Sequence, residues 1–222
     1  MEYINKIITG NCLDIMKQMP DKSVDVILTD PPYGIDLNYD NYIDSLDNLK
    51  ELVSNFMVEA LRVSKVIVIT PGINNIWYYP KADWVMCWYY GCGPSRCSWG
   101  FNVWQPILVY GKDPYLANGM GARPDDIKDN TTNTKNGHPC AKPITFIRKL
   151  LDRVSINKED LILDPFCGSG TTCVAAKLTG KKYIGIDLSQ KYCDIAIDRL
   201  NNTYYQPSFD MILKEKPEKG LF

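Results

Sequence analysis

Four consecutive residues, Asp30, Pro31, Pro32 and Tyr33, combine groups that suit an exocyclic amino nitrogen. They follow the hydrophobic run Val24-Asp25-Val26-Ile27-Leu28, which reads as a buried strand. Open α/β sheets place their chemistry just beyond the carboxyl ends of strands. At that place Asp30 offers a carboxylate that accepts a hydrogen bond. Pro31 has no N–H to donate, and its carbonyl accepts. Tyr33 offers a face on which a flat ring stacks. Two acceptors and a stacking platform match the amino group of a nucleobase. The plainer alternative is a strand-end turn that contains Asp-Pro-Pro, because Asp-Pro is a common turn starter.

A second segment has the chemistry of a cofactor site. Leu161-Ile162-Leu163-Asp164 reads as another buried strand ending in an acid. Pro165-Phe166-Cys167-Gly168-Ser169-Gly170-Thr171-Thr172 follows, then the helical run Cys173–Leu178 with Gly180 as its C-cap. Glycines at a strand-to-helix turn let backbone approach a ligand, and the helix N-terminus presents free amides to anionic groups. The next strand, Tyr183–Ile186, ends at Asp187. An acid about 20 residues beyond the glycine turn, at the end of the second strand, can grip the hydroxyls of a ribose. Taken alone, this order also fits a tight structural turn in a βαβ unit.

Together the two segments resemble the amino-methylating DNA methyltransferases. That family joins a D-P-P-Y motif to a D-P-F-x-G-S-G-T motif, and Asp30–Tyr33 and Asp164–Thr171 match both without a gap. His138-Pro139-Cys140-Ala141-Lys142-Pro143 resembles its H-P-x-x-K-P hallmark. Gly10-Asn11-Cys12-Leu13 is similar to the G-D-C-L that opens many members, with Asn11 where Asp is usual. The catalytic motif precedes the cofactor motif here, which resembles the circularly permuted β group. The resemblance spans about Ile4 to Leu200.

The resemblance implies an S-adenosylmethionine-dependent enzyme with a circularly permuted Rossmann-like α/β fold, its sheet mostly parallel with an antiparallel edge hairpin. It implies that Asp30, Pro31, Pro32 and Tyr33 carry catalysis. It places the cofactor's adenine near Asn11 and Cys12, its ribose on Asp187 beside Leu188, and its methionine end near Phe166, Gly168, Ser169 and Gly170. Lys142 and Thr171 are expected to meet the cofactor carboxylate, and Asp164 and Asp30 are expected among the cofactor-binding residues; a plain solvated lysine is the alternative for Lys142. The DNA base must be flipped out to reach these groups, since its amino nitrogen is inaccessible in a stacked duplex. A homodimer and a cognate restriction enzyme are partners that the resemblance leaves open.

Composition fits these expectations. The 222 residues suit one domain, with a full core, at 45% hydrophobic and 23% charged content. No apolar run approaches the roughly 20 residues that span a bilayer, and the N-terminus has no signal-peptide pattern. Eight cysteines are therefore expected as reduced thiols in a bacterial, archaeal or phage-infected cytosol, with Cys167 and Cys173 as small spacers beside the glycine turn. One histidine and widely spaced cysteines give no zinc pattern, so no metal is expected. A net charge of −1, from 25 basic and 26 acidic residues, predicts modest DNA affinity for one subunit.

The elements that must position these residues can be read along the chain. Strands are expected at Ile4–Thr9, Val24–Thr29, Val66–Thr70, Trp84–Tyr89 and Val103–Tyr110, the last two antiparallel. Leu49, Leu52, Val53, Phe56, Ala60 and Leu61 keep a helical period, and Pro143 starts a helix carrying Ile144, Ile147, Leu150, Leu151 and Val154. Short helices are expected at Cys12–Gln18 and Gln190–Leu200, the latter capped by Ser189. Gly34–Ser45 reads as a mobile loop beside the site. Pro114–Gly137 reads as an irregular target-recognition insert, with Arg123, Lys128 and Lys135 to grip phosphates or bases. The tail 214–222 reads as frayed. Most of the aromatics between Trp77 and Trp104 are expected in the core, with Trp99 and Phe101 free to touch an extruded base. In the permuted arrangement, Ile4–Thr9 supplies the third strand beside the cofactor half, so Asn11, Asp30, Asp164 and Asp187 face one crevice.

Three functions compete on these residues: adenine-N6 methylation of DNA, cytosine-N4 methylation of DNA, and an inactive methyltransferase-like nucleic-acid-binding subunit. In the family D-P-P-Y leans to adenine and S-P-P-Y to cytosine, so Asp30 favours the first. Intact Asp30, Tyr33, Gly168, Gly170 and Asp187 speak against the third. RNA and protein-glutamine methyltransferases share a similar tetrapeptide, but they usually carry the cofactor motif first.

Overall fold

In chain order the elements are β1 (Lys6–Thr9), α1 (Cys12–Met16), β2 (Val24–Thr29), β3 (Asn38–Tyr39), β4 (Tyr42–Ile43), α2 (Leu46–Val63), β5 (Ser64–Ile69), β6 (Trp84–Tyr89), β7 (Arg96–Cys97), β8 (Gly100–Phe101), β9 (Trp104–Tyr110), α3 (Pro114–Ala117), β10 (Asp126–Lys128), α4 (Ile144–Val154), β11 (Leu161–Asp164), α5 (Thr171–Leu178), β12 (Lys182–Asp187) and α6 (Gln190–Asn201). They come from a computed structural model that describes residues 2–39, 41–91, 96–97, 99–131 and 142–204. The tail 214–222, the His138–Ala141 part of the third motif, and Lys135 lie outside the described residues.

Eight strands form one sheet in the order β1-β12-β11-β2-β5-β9-β6-β10. Only β9 runs against its neighbours. The register Lys6↔Ile184 through Thr9↔Asp187 seats the N-terminal strand beside the C-terminal one. A sheet requires strands to be adjacent in space and not in sequence, so chain order reversed between the two halves costs it nothing. The pairings Ile162↔Val26 and Ile27↔Ile67 bring β11, β2 and β5 side by side. The carboxyl ends of β1, β12, β11, β2 and β5 therefore share one edge.

Period-2 alternation divides the central strands between two cores. Val26, Leu28, Val66, Val68 and Ile162 pack with Phe146, Ile147 and Leu150 of α4 and with the buried face of α5. Ile27, Ile67, Ile69 and Leu163 pack on the opposite face with Met16 of α1 and Leu49, Val53, Phe56 and Ala60 of α2. Both faces are covered, which is why these strands read as near-continuous apolar runs.

The helices stop where local chemistry predicts. Asn11 caps α1 by accepting from the Leu13 amide, Ser45 caps α2, and Ser189 caps α6. Gly180, at φ +74°, closes α5. No helix among the described residues is long and apolar enough to cross a membrane.

Two expectations change. The stretch from Pro114 is not irregular throughout: it forms α3, and β10 adds a parallel strand to β6 beyond the antiparallel pair (Asp126↔Cys87, Lys128↔Tyr89). The aromatics are mostly not core. Tyr79 and Trp88 are buried, whereas Trp77, Tyr78, Trp84, Tyr89, Trp99 and Trp104 are exposed. In β6 the residues Met86 and Trp88 face the covered side, while Trp84, Val85 and Tyr89 are open to solvent. A strand near the sheet edge has only one face to bury, so bulky apolar residues there do not imply burial.

Candidate active site

Two turns at the carboxyl edge build the site. The first leaves β2. Asp30 has both carboxylate oxygens engaged: Oδ1 accepts from the Tyr33 hydroxyl at 2.6 Å and from Thr70 Oγ1 at 2.5 Å, and Oδ2 accepts from Lys142 Nζ at 2.7 Å. Lys142 also donates to the Tyr33 hydroxyl at 2.5 Å and stands 5.1 Å from the centroid of that ring. Asn75 Nδ2 donates to the Tyr33 and Pro71 carbonyls and fixes the backbone behind the turn. Among the described residues no donor is bonded to the Pro31 carbonyl. Pro31 is buried and Pro32 is half-buried beside it.

The second turn leaves β11. Gly168 and Gly170 adopt left-handed φ of +48° and +78°. At Gly170 a Cβ would lie 2.7 Å from the Cβ of Ala196, so the close approach of α6 also requires glycine there. Asp187 reaches across from β12. Its Oδ2 accepts from the Gly168 amide at 2.8 Å and its Oδ1 from the Ser189 amide at 2.9 Å. The Thr9↔Asp187 register sets Asn11 and Cys12 beside it. Arg199 of α6 donates to the Ser169 carbonyl and hydroxyl and to Thr171 Oγ1, which fixes the loop from behind.

Asp164 lines a pocket beside the two turns and also braces two strands. Its Oδ1 accepts from Thr29 Oγ1 at 2.7 Å and from the Phe166 amide at 3.2 Å, tying β11 to β2. Burial pushes its carboxyl up to about 6, the negative charge of Asp30 adds to the rise, and the donors from Thr29, Thr172 and Phe166 oppose it. Burial likewise pushes the Cys12 thiol up to about 12 and those of Cys167 and Cys173 well above the usual range, so these sulfurs are neutral packing groups.

A cleft of about 200 Å3 runs between the turns. Asn11, Cys12, Asp187 and Leu188 line one part of it, and Asp30, Pro31, Pro32 and Tyr33 line another, with Phe166 and Gly168 between. A small adjoining pocket of about 50 Å3 meets the cleft at Asp30, Phe166 and Gly168 and is lined by Lys142, Asp164, Ser169 and Thr171. Gly170 lines neither and serves the packing of the loop. Phe166 makes an edge-on contact with Phe56 of the core, 5.2 Å between centroids. Among the described residues no group of three or more histidine, cysteine or acidic side chains is placed to hold a metal.

Several residues that line or support the site escaped the sequence. Thr70 ends a buried strand, and the rule that pointed to Asp30 applies to it equally. Arg199 sits in the last turn of α6, where a cation reads as a complement to the helix dipole, so no local signal marks it. The segment after Tyr33 was expected as a loop and is a tethered hairpin: buried Asp44 accepts from the amides of Gly34, Ile35 and Leu37. Asn41 donates from it to the Leu188 carbonyl at 3.1 Å, and Tyr42 lines the cleft. The topology also separates the basic residues of the insert. Lys128 ends β10 at the edge that carries the site, whereas Arg123 precedes β10 at the opposite edge and lies over the Tyr115 ring.

Known proteins share both the sequence pattern and the fold. Residues 70–198 match a family model of the N6/N4 type described as DNA methylase. The chain is 27% identical over 237 residues to type II methyltransferase M.HpaI of Haemophilus parainfluenzae, covering 90% of this chain and 75% of that protein. It is 25% identical over 264 residues to DNA adenine methyltransferase YhdJ of Escherichia coli strain K12, covering 96% and 88%. The crystal structure of an M1.HpyAVI–SAM complex superposes with a TM-score of 0.64 at 25% identity, over 88% of this chain and 98% of that one. The cytosine-N4-specific PvuII DNA methyltransferase superposes with a TM-score of 0.64 at 15% identity, over 94% and 89%, which speaks to the fold alone.

Proposed function

The chain belongs to the N6/N4 DNA methylase family, and from that premise we propose that this amino-group DNA methyltransferase uses S-adenosylmethionine to methylate N6 of adenine. The observation that carries the reading is the shared cleft. Asp30 and the Pro31 carbonyl stand in one part of it, while Asp187 and the glycine turn stand in the other.

The lining suits the cofactor. Asp187, oriented by two backbone amides, would accept from ribose hydroxyls. Asn11, Cys12 and Leu188 would flank the adenine. Ser169 and Thr171 would face the methionine end. Asp30, Asp164 and Asp187 line the two cavities against one ammonium, Lys142, a balance that favours a cationic ligand. When bound, the cofactor supplies an electrophilic methyl group on a sulfonium.

The protein's own part is alignment. An exocyclic amino nitrogen delocalises its lone pair into the ring and attacks poorly. Asp30 and the Pro31 carbonyl would accept hydrogen bonds from its two hydrogens and favour a pyramidal nitrogen, whose lone pair can then point at the methyl group; the N–C bond forms as the S–C bond breaks, and the methylated nitrogen then releases one proton. Tyr33 would stack on the flipped base, which fixes the distance and angle of approach.

Aspartate in D-P-P-Y supports adenine over cytosine, as does the relative named a DNA adenine methyltransferase. In the insert, Lys128 ends β10 at the edge that carries the site, so recognition is assigned to that end of the insert and not to Arg123. Nucleoside mass spectrometry of DNA from cells expressing the protein tests the reading. N6-methyladenine is expected, N4-methylcytosine would overturn the choice of base, and unmodified DNA would overturn the activity.

A further inference from the structure

Resting on that reading of the site, we infer that Lys142 and Thr70 are positioning residues for methyl transfer, which fix Asp30 so that one acceptor position on Oδ2 is left for the target amino group. An ionised carboxylate has about four acceptor positions, two on each oxygen. Tyr33 and Thr70 fill both on Oδ1. Lys142 fills one on Oδ2. One position remains on Asp30, and the Pro31 carbonyl offers the second acceptor that a two-hydrogen amino group requires.

Without these two anchors the carboxylate torsion is broad and roughly twofold, and either oxygen could turn toward the base. The anchors come from separate parts of the fold. Thr70 follows β5 and is 2% exposed, and Lys142, with a side chain 11% exposed, immediately precedes the α4 N-terminus. Asp30 itself is about a quarter exposed, so these two largely buried donors hold it from the protein side. Lys142 does a second job with the same ammonium: its bond to the Tyr33 hydroxyl and its place over the ring hold the stacking platform. It makes no hydrogen bond to the glycine turn. The lysine thus belongs with the target base, and not with the cofactor carboxylate to which its motif first assigned it.

The test separates those two places. Lys142→Met and Thr70→Val are compared with the unaltered protein for kcat on DNA and for S-adenosylmethionine Kd by isothermal titration, with circular dichroism to verify folding. Each variant is expected to lower kcat about tenfold or more, since small misplacements of reacting groups are costly. Cofactor Kd is expected to stay within about twofold, the pattern of a group that acts only in the transition state. Lys142→Arg and Thr70→Ser, which keep the cation and the hydroxyl, recover part of the loss and carry the test if a harsher variant fails to fold. The double variant loses less than the product of the single effects, because both act through Asp30. A weakened cofactor Kd with unchanged kcat in Lys142→Met would move the lysine to the cofactor carboxylate and overturn the inference. Unchanged kcat in both variants would also overturn it. If the unaltered protein methylates no amino group of DNA, the proposed function itself fails; if it does and the variants match it, only this inference fails.

Discussion

The turn after β2 and the turn after β11 lie side by side at one sheet edge, yet they are held by different kinds of bond. Asp30 is fixed by side chains: a threonine 40 residues away, a lysine 112 residues away and the tyrosine three residues on. The glycine turn is fixed largely through backbone. Its Gly168 amide meets Asp187, its Cys167 amide meets the Ile186 carbonyl, and its Ser169 carbonyl meets Arg199. The turn contributes backbone groups, which survive most substitutions within it, while Asp187 and Arg199 hold it from outside. A side-chain network depends on each member, so it specifies one geometry, which chemistry requires and binding does not. The contrast predicts that substitutions at the first turn act on rate and those at the second on affinity.

The sharpest way to break that contrast is Asp30→Ala. It removes the group on which three donors converge, and methyl transfer should fall by at least about 100-fold in kcat, in line with the loss of one preorganised transition-state partner. Cofactor affinity should change little. Labelled-cofactor turnover beside a binding titration reads both. A variant that turns over normally, or one that loses affinity and keeps its rate, would erase the division between the turns.

Asp164 tests whether the two turns are mechanically joined, since it bonds β2 through Thr29 and the glycine loop through Phe166. Its carboxyl is raised from 3.8 to about 6 in the fold. A raised value means that the folded protein binds the proton more tightly than the unfolded chain does. The contribution is present in full below about pH 4 and is lost as pH rises through about 6. The linkage between proton binding and folding is on the order of 2–3 kcal/mol, at roughly 1.4 kcal/mol for each tenfold difference in proton affinity. Asp164→Asn cannot ionise, so its unfolding free energy from urea titration should lose this decline between pH 4 and pH 6.5, relative to the unaltered protein. Parallel curves for the two proteins would show that Asp164 is not the group at work.

Asp187→Ala gives the smallest effect and sharpens the other side of the comparison. Loss of a charged acceptor for the ribose should weaken S-adenosylmethionine binding by about 1.5–3 kcal/mol. The kcat at saturating cofactor should stay within about threefold, the pattern of lost uniform binding. Unchanged affinity in titration would take the ribose away from Asp187.

Both turns were legible in the sequence because each is local. A buried strand, an acid at its end, and either two prolines and a tyrosine or two glycines and a helix occupy neighbouring positions. Apolar periodicity places such turns at the carboxyl edge of a sheet. The resemblance to a permuted family anticipated the β1–β12 pairing, in which the N-terminal strand Lys6–Thr9 completes the cofactor half. The aromatic segment misled for a related reason. Periodicity reports that alternate residues of β6 are alike, but whether a second layer covers each face is decided by the rest of the chain.

The sequence by itself determined the α/β class, the family, the cleft and most of its lining residues, because those follow from short-range order and from residue types that few other roles require. Only the tertiary structure decided what holds Asp30, why Lys142 turns to it, that Arg199 supports the glycine loop and that Arg123 faces away from the site. The physical reason is one of range. A hydrogen bond between side chains is made or lost within about 1 Å, and the approach of Thr70, Lys142 and Asp30 is set by the packing of whole strands and helices, on which no single stretch of sequence carries a mark.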